Sequence, residues 1–266
     1  MILTVDHVTV YRYAQPVRGV VQSHRMTPSV FEGQKVRDWQ VTVSDGIKGG
    51  GFRDGAGDWV QSWSVLGPVS DITVTVRGIV ETFDLTGLLR GHKETIPREA
   101  YMNETAPTRA DAALAELAEA AKPARDVLDA AHSLSAAVAA AIEYTPGVTQ
   151  AQTTAAEALS LGKGVCQDHA HALISVARRA GMPARYVSGY LMSGEPGQAA
   201  HAWAEIWVQG LGWVGFDPAN ECCPDDRYIR LGSGVDAQDA APIKGSARGI
   251  GAEILDVSVA VQAVQQ

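Results

Sequence analysis

Apolar and polar residues alternate one for one along three early stretches: Leu3 to Tyr11, Val36 to Val43 and Asp71 to Arg77. That period puts every second side chain on one face, which is the pattern of a half-buried β-strand. Weaker alternation marks Val20 to Met26 and Trp59 to Leu66. Turn chemistry separates the runs at Ser44-Asp45-Gly46, at Gly49-Gly50-Gly51 and between Asp54 and Asp58. Short strands without helical signal predict a small antiparallel β-sandwich over residues 1–85.

Residues 86–107 show neither period and carry Gly87, Gly91, Pro97 and Pro107, so they read as a linker along the surface. The period then changes. Leu114, Leu117 and Ala121 recur at helical spacing before Lys122-Pro123 stops the run, and Val127, Leu128, Ala131, Leu134, Val138 and Ile142 repeat the pattern up to Pro146-Gly147. Thr153-Thr154 offer an N-cap for a short helix through Leu159. A further helical stripe, Ala170, Leu173, Ile174 and Ala177, ends at Gly181-Met182-Pro183. Strand patterns return at Arg185 to Leu191, Ala202 to Val208, Gly212 to Phe216, Tyr228 to Leu231 and Ile254 to Val264. Helices followed by strands predict an α+β unit over residues 108–266.

Composition narrows the function more than the fold. With 46% hydrophobic and 20% charged residues, the 266-residue chain reads as soluble and globular. A net charge of −8 argues against nucleic acid and anionic membrane as partners, and no apolar run reaches the roughly 18 residues of a membrane span. The start of the chain lacks a basic segment and an apolar core of leader type, so a cytoplasmic protein is expected; a homo-oligomer is left open. Cys166, Cys222 and Cys223 make no disulfide framework.

Cys166 stands at the start of the third helical stripe, after the flexible Gly162-Lys163-Gly164. The free N–H groups of a first turn stabilise an anion, and thiolate is the nucleophilic form of cysteine. The other reading is a small buried core residue. His201 opens a strand after the turn-rich Gly194 to Gln198, and Asp217 closes the next strand sixteen positions on. With the hairpin centred near Gln209-Gly210, His201 and Asp217 become neighbours across the pair. Whether the strand packs its alanine face (Ala202, Ala204, Ile206) or its tryptophan face (Trp203, Trp207) on the helix, the pattern does not decide. A metal set of His169, His171 and a cysteine would need side chains that share a face. Positions 166, 168, 169 and 171 spread around the helix instead, so no metal and no cofactor is expected.

These residues resemble a known family. Gly164-Val165-Cys166-Gln167-Asp168, Arg185 to Tyr190, His201-Ala202-Trp203-Ala204-Glu205 and Gly212 to Pro218 look like the core of the bacterial transglutaminase-like superfamily. Tyr11 to Val17 and His24 to Pro28 are similar to the small β domain that precedes this core in many bacterial members. The resemblance implies a papain-like thiol fold with Cys166 as nucleophile, His201 as general acid–base and Asp217 as its orienting partner. It leaves Tyr144, Gln152 and Gln167 as candidates for a second oxyanion donor. Trp203 and Trp213 are candidates for the substrate cleft, with core packing as the other reading. The implied chemistry is acyl transfer on a peptide or protein substrate through a thioester. Water as acceptor gives a cysteine protease or amidase, the preferred reading; an amine acceptor gives a transglutaminase. A module that only binds peptides is the remaining alternative. His169 stands where relatives often carry an aromatic residue, and Cys222-Cys223 departs from the pattern.

Overall fold

The computed structural model describes residues 1–122, 124–193 and 200–264. Pro123 and the turn expected from Gly194 to Gln198 lie outside the described residues. Along the described chain the strands are β1 (Ile2–His24), β2 (Gln34–Val43), β3 (Gly46–Arg53), β4 (Trp59–Thr82), β5 (Glu143–Tyr144), β6 (Lys163–Gly164), β7 (Ala184–Leu191), β8 (Ala200–Val208), β9 (Gly212–Phe216), β10 (Tyr228–Gly234), β11 (Ile243–Ala247) and β12 (Glu253–Ala263). The helices are α1 (Ala112–Leu117), α2 (Val127–Ala141), α3 (Ala155–Leu161) and α4 (Cys166–Arg179). None of them is long and apolar enough to cross a membrane.

The first unit is a single antiparallel sheet folded onto itself. β1 and β4 pair along nearly their whole length, with register shifts between Arg12 and Gly19. Runs that read as separate short strands are therefore halves of two long ones. β2 covers the second half of β4 and β3 the first half. The core draws on both halves: Val74, Val76 and Val43 from one, Val20, Trp63 and Val65 from the other.

Two strands of this sheet were not foreseen. Gly49-Gly50-Gly51, expected as a turn, lies within β3. A Cβ at Gly49 would come 2.4 Å from Ser62 Oγ, and one at Gly51 would come 2.5 Å from the Trp59 ring. The glycines let this edge strand lie flat against β4. β11 was also missed, and it pairs with the second half of β1 while β12 pairs with the first half. The span expected as the second unit, residues 108–266, thus ends in strands that complete the first sheet. Val259 of β12 shares a cluster there with Leu3, Val5 and Val80.

The second unit packs helices on the antiparallel sheet β10-β7-β8-β9. Ala202, Ala204, Ile206 and Val208 join Leu173, Ile174 and Ala177 of α4 in the main core, so the alanine face of β8 meets the helix. The opposite face carries Arg185, Trp203, Glu205 and Arg230, all buried. Segment 84–107 and the first sheet cover it. Glu94 accepts hydrogen bonds from Arg185 Nη1 and Trp213 Nε1, each at 2.5 Å. Arg185 and Arg230 share Glu205, and Arg230 also reaches Asp58 at 2.9 Å.

Candidate active site

α4 begins at Cys166 for identifiable local reasons. Gly162 ends α3 in the left-handed region at φ 64°, where a Cβ is disfavoured. β6 then pairs with β5, placing Gly164 opposite Tyr144. Asp168 Oδ2 accepts the Val165 N–H at 2.8 Å and the Thr149 hydroxyl at 2.6 Å, which closes the helix entry. Cys166 is half-buried on the first turn, where backbone N–H groups are free of intrahelical partners.

His201 lies opposite Gly189 on β7. A Cβ at Gly189 would sit 2.6 Å from the Trp203 ring and 2.2 Å from the Ile229 carbonyl oxygen, so the glycine makes room for the indole. Trp203 in turn stacks beside His201, with ring centroids 6.3 Å apart and planes 24° from parallel.

β9 delivers Asp217 to the other side of the imidazole. His201 Nε2 donates to Asp217 Oδ2 at 2.6 Å. The same oxygen accepts Asn220 Nδ2 at 2.7 Å and the Tyr228 hydroxyl at 2.8 Å. Asp217 Oδ1 accepts the backbone N–H groups of Ala219 and Asn220. The carboxylate is fully buried, and burial alone would favour its neutral form; these donors and the His201 charge hold it below the ordinary carboxylate range. Burial likewise opposes a charged His201. Hydrogen bonds to Asp217 and Cys166, with the negative charge at both, outweigh it and raise the imidazole to about 9. The raised imidazole favours the imidazolium at neutral pH, with the Asp217 carboxylate as its hydrogen-bond partner. Together with the Cys166 sulfur, that pair can attack a carbonyl carbon and then supply a proton to a leaving group.

The remaining expectations divide. Tyr144 stands opposite Gly164, two positions before Cys166, and burial, with negative charge at Cys166 and Asp217, raises its phenol. Gln167 is engaged elsewhere, because its amide donates outward to the Ala151 carbonyl at 3.0 Å. Gln152 lines a separate surface groove with Asp111, Thr149 and Glu157. Trp203 packs beside the imidazole and lines a small cavity with Leu88, Gly215 and Tyr228, and Trp213 packs near Arg185, whose guanidinium lies 4.1 Å from its ring; both are buried. Among the described residues no group of three metal-ligating side chains converges. His169 is occupied by the carbonyls of Val165 and Ile142. Burial lowers His171 to about 4, and its Nε2 accepts the Ala237 N–H.

Asn220 and Tyr228 were missed. Asn220 had a signal, since Asp217-Pro218-Ala219-Asn220 is a turn in which the first and last side chains can meet. Tyr228 was read as the start of a strand, with no role at the site; it is buried and touches Asp217. No local pattern points across the ten intervening residues. Cys222 Sγ lies 3.3 Å from the Tyr228 hydroxyl, while burial raises Cys223 to about 11.

Residues 115–218 match the transglutaminase-like superfamily core, and residues 3–81 match the bacterial transglutaminase-like N-terminal region. An uncharacterized protein of Mycobacterium leprae is 30% identical over 97% of this chain and 98% of its own length. A protein-glutamine gamma-glutamyltransferase of Pseudomonas aeruginosa is 39% identical, but over 23% of this chain and 11% of its own. Among solved structures, a provisional cysteine protease from Cytophaga hutchinsonii superposes with a TM-score of 0.76 at 20% identity, covering 100% of this chain and 91% of its own.

Proposed function

The chain belongs to the transglutaminase-like superfamily, a family of thiol-dependent acyl transfer, and from that premise we propose that Cys166, His201 and Asp217 form a catalytic triad acting on amide bonds of a peptide or protein. The observation that carries the reading is the imidazole of His201, hydrogen-bonded to Asp217 at 2.6 Å and close enough to Cys166 for that residue to help raise it. The Cys166 sulfur attacks the carbonyl carbon, and the carbonyl oxygen takes the negative charge. The Cys166 backbone N–H stabilises that oxyanion, with the Tyr144 hydroxyl as second donor. His201 then gives its proton to the departing amine as the C–N bond breaks, leaving a thioester on Cys166. Water, deprotonated by His201, hydrolyses the thioester and regenerates the enzyme.

Hydrolysis of peptide or isopeptide bonds is the preferred outcome. The partial match to a glutamyltransferase supports a second one, in which an amine replaces water as acceptor. Incubation with a peptide library, with and without an added primary amine, separates them by mass spectrometry. Shortened peptides mean hydrolysis, and amine-tagged glutamines mean transamidation. Cys166→Ala should abolish either product with an unchanged thermal melt. An active Cys166→Ala protein would sink the triad.

A further inference from the structure

The first sheet does more than cover the second unit. Gln34, at the start of β2, is 6% exposed and grips the backbone of Arg230 from both sides. Its Nε2 donates to the Arg230 carbonyl at 2.8 Å, and its Oε1 accepts the Arg230 N–H at 3.0 Å. The Ser29 N–H reaches the same carbonyl at 2.9 Å. The Arg230 guanidinium donates to Ser29 Oγ at 2.6 Å and to Asp58 at 2.9 Å, and on its other side to Glu205. A further tie comes from Thr82 at the end of β4, whose hydroxyl donates to the Asp226 carbonyl at 2.5 Å. β10 is thus held in register by the first sheet immediately beside Tyr228.

Tyr228 and Arg230 are two apart on one strand, and their cross-strand partners are Leu191 and Gly189. They therefore share a face. Fixing Arg230 fixes where the Tyr228 phenol points, and it points at Asp217 Oδ2. We infer that Gln34 and Arg230 are positioning residues that seat Tyr228 on Asp217, which makes the N-terminal sheet part of the acyl-transfer apparatus. This rests on the triad reading above.

The phenol has two effects through Asp217. It limits the rotation of the carboxylate and so of the imidazole. It also draws on the lone pairs that attract the His201 proton, so the imidazolium gives that proton up more readily. The interaction resembles one charge-assisted hydrogen bond in strength. Its loss should slow kcat by about ten- to a hundredfold. KM should not change, because Tyr228 lies behind the imidazole and is 5% exposed.

The test is a double-mutant cycle on kcat with Tyr228→Phe and Gln34→Met, with Thr82→Val as a milder cut in the same tether. In support, Tyr228→Phe lowers kcat at constant KM and moves the alkaline limb of the pH profile upward, while Gln34→Met slows the wild type but not the Tyr228→Phe protein. Equal slowing in both backgrounds would make the interface structural only. So would a Tyr228→Phe enzyme with wild-type kcat and pH limb. If Gln34→Met does not fold, Thr82→Val takes its place with the same two outcomes. Proton NMR of the His201–Asp217 hydrogen bond supplies a readout without substrate. Its downfield signal should move in Tyr228→Phe and in the same direction in Gln34→Met or Thr82→Val. A signal moved by Tyr228→Phe alone would overturn the inference. A protein inactive on every amide would instead count against the triad reading and leave the NMR comparison to decide the positioning.

Discussion

His201 carries the most directly measurable consequence at the scale of single residues. Burial works against its charge, yet hydrogen bonds and charge at Asp217 and Cys166 raise its imidazole to about 9. The protonated form, which would serve the leaving amine in the proposed reaction, is full below that pH and lost above it. kcat/KM should therefore hold through neutrality and fall as pH rises through about 9. Asp217→Asn removes the first of the raising causes, so the alkaline limb should move down toward the ordinary imidazole value of 6.5. The check is kcat/KM against pH for both proteins on one peptide substrate. An alkaline limb in the Asp217→Asn protein at or above that of the wild type would show that Asp217 does not hold the proton. Asn220 offers a finer comparison. Its Nδ2 bonds Asp217 Oδ2 at 2.7 Å and lies 3.3 Å from His201 Nε2, so Asn220→Ala should lower kcat by about tenfold with KM unchanged.

Among the elements, β7 and β8 decide whether the imidazole has a wall behind it. Gly189 is the position that permits it. An alanine there must displace the Ile229 carbonyl, 2.2 Å from the new Cβ, or the Trp203 ring at 2.6 Å. Overpacking of this kind costs about 1–3 kcal/mol. Gly189→Ala should lower the melting temperature and also the activity, because Trp203 is the ring stacked beside His201. Retained activity alongside a lowered melt would show that the stack is dispensable. How much of this was legible beforehand follows from how local each signal is. The start of α4 at Cys166 and the pairing of β8 with β9 came from spacing within a few turns of chain, and the observed register, Trp207 opposite Trp213, has nearly the expected centre. The face of β8 that meets α4 was undecided because both faces are apolar enough to be buried. What covers the tryptophan face is charge, and Arg185, Glu205, Arg230 and Asp58 read singly as surface residues. Their burial became visible only when segments more than a hundred positions apart were brought together. The long β1 and β4 were read as pairs of short strands because the alternation breaks at their bends, and β3 was hidden by glycines that carry no side-chain period.

For the whole molecule, that charge network is what joins the two units. Glu205 is buried between Arg185 and Arg230, whose charges hold its carboxyl at about 2 against the cost of burial. Removing one partner from a buried charged set costs about 3–5 kcal/mol. Glu205→Gln should therefore destabilise the protein by that order and loosen both units together, as a lower midpoint in urea read by probes in either one. Independent transitions in the wild type would show that the network does not couple them.

Stability against pH follows from groups spread across the same two units, and its sign differs on the two sides of neutrality. Burial holds His7, His24 and His171 down to about 4, from an ordinary 6.5. Between those values the unfolded chain takes up protons that the folded chain refuses, so stability falls as pH falls. Asp217 adds to the acid side: its depressed carboxyl stabilises the fold above the ordinary carboxylate range, and that contribution is lost on acidification. His201 acts in the opposite sense. Its raised imidazole contributes fully below 6.5, and the contribution fades as pH rises through about 9. The melting temperature should thus peak near pH 6.5 and decline on both sides. Each limb has its own diagnostic variant. His24→Gln removes a buried imidazole from the first sheet and should flatten the acid limb while leaving the alkaline limb in place. Asp217→Asn should flatten the alkaline limb, since His201 loses the acid that holds its proton. Calorimetric scans from about pH 4 to about pH 9 on the three proteins would decide, and a wild-type melt that stays level from 6.5 down to about 4 would mean that the buried histidines are reached by water before the fold opens.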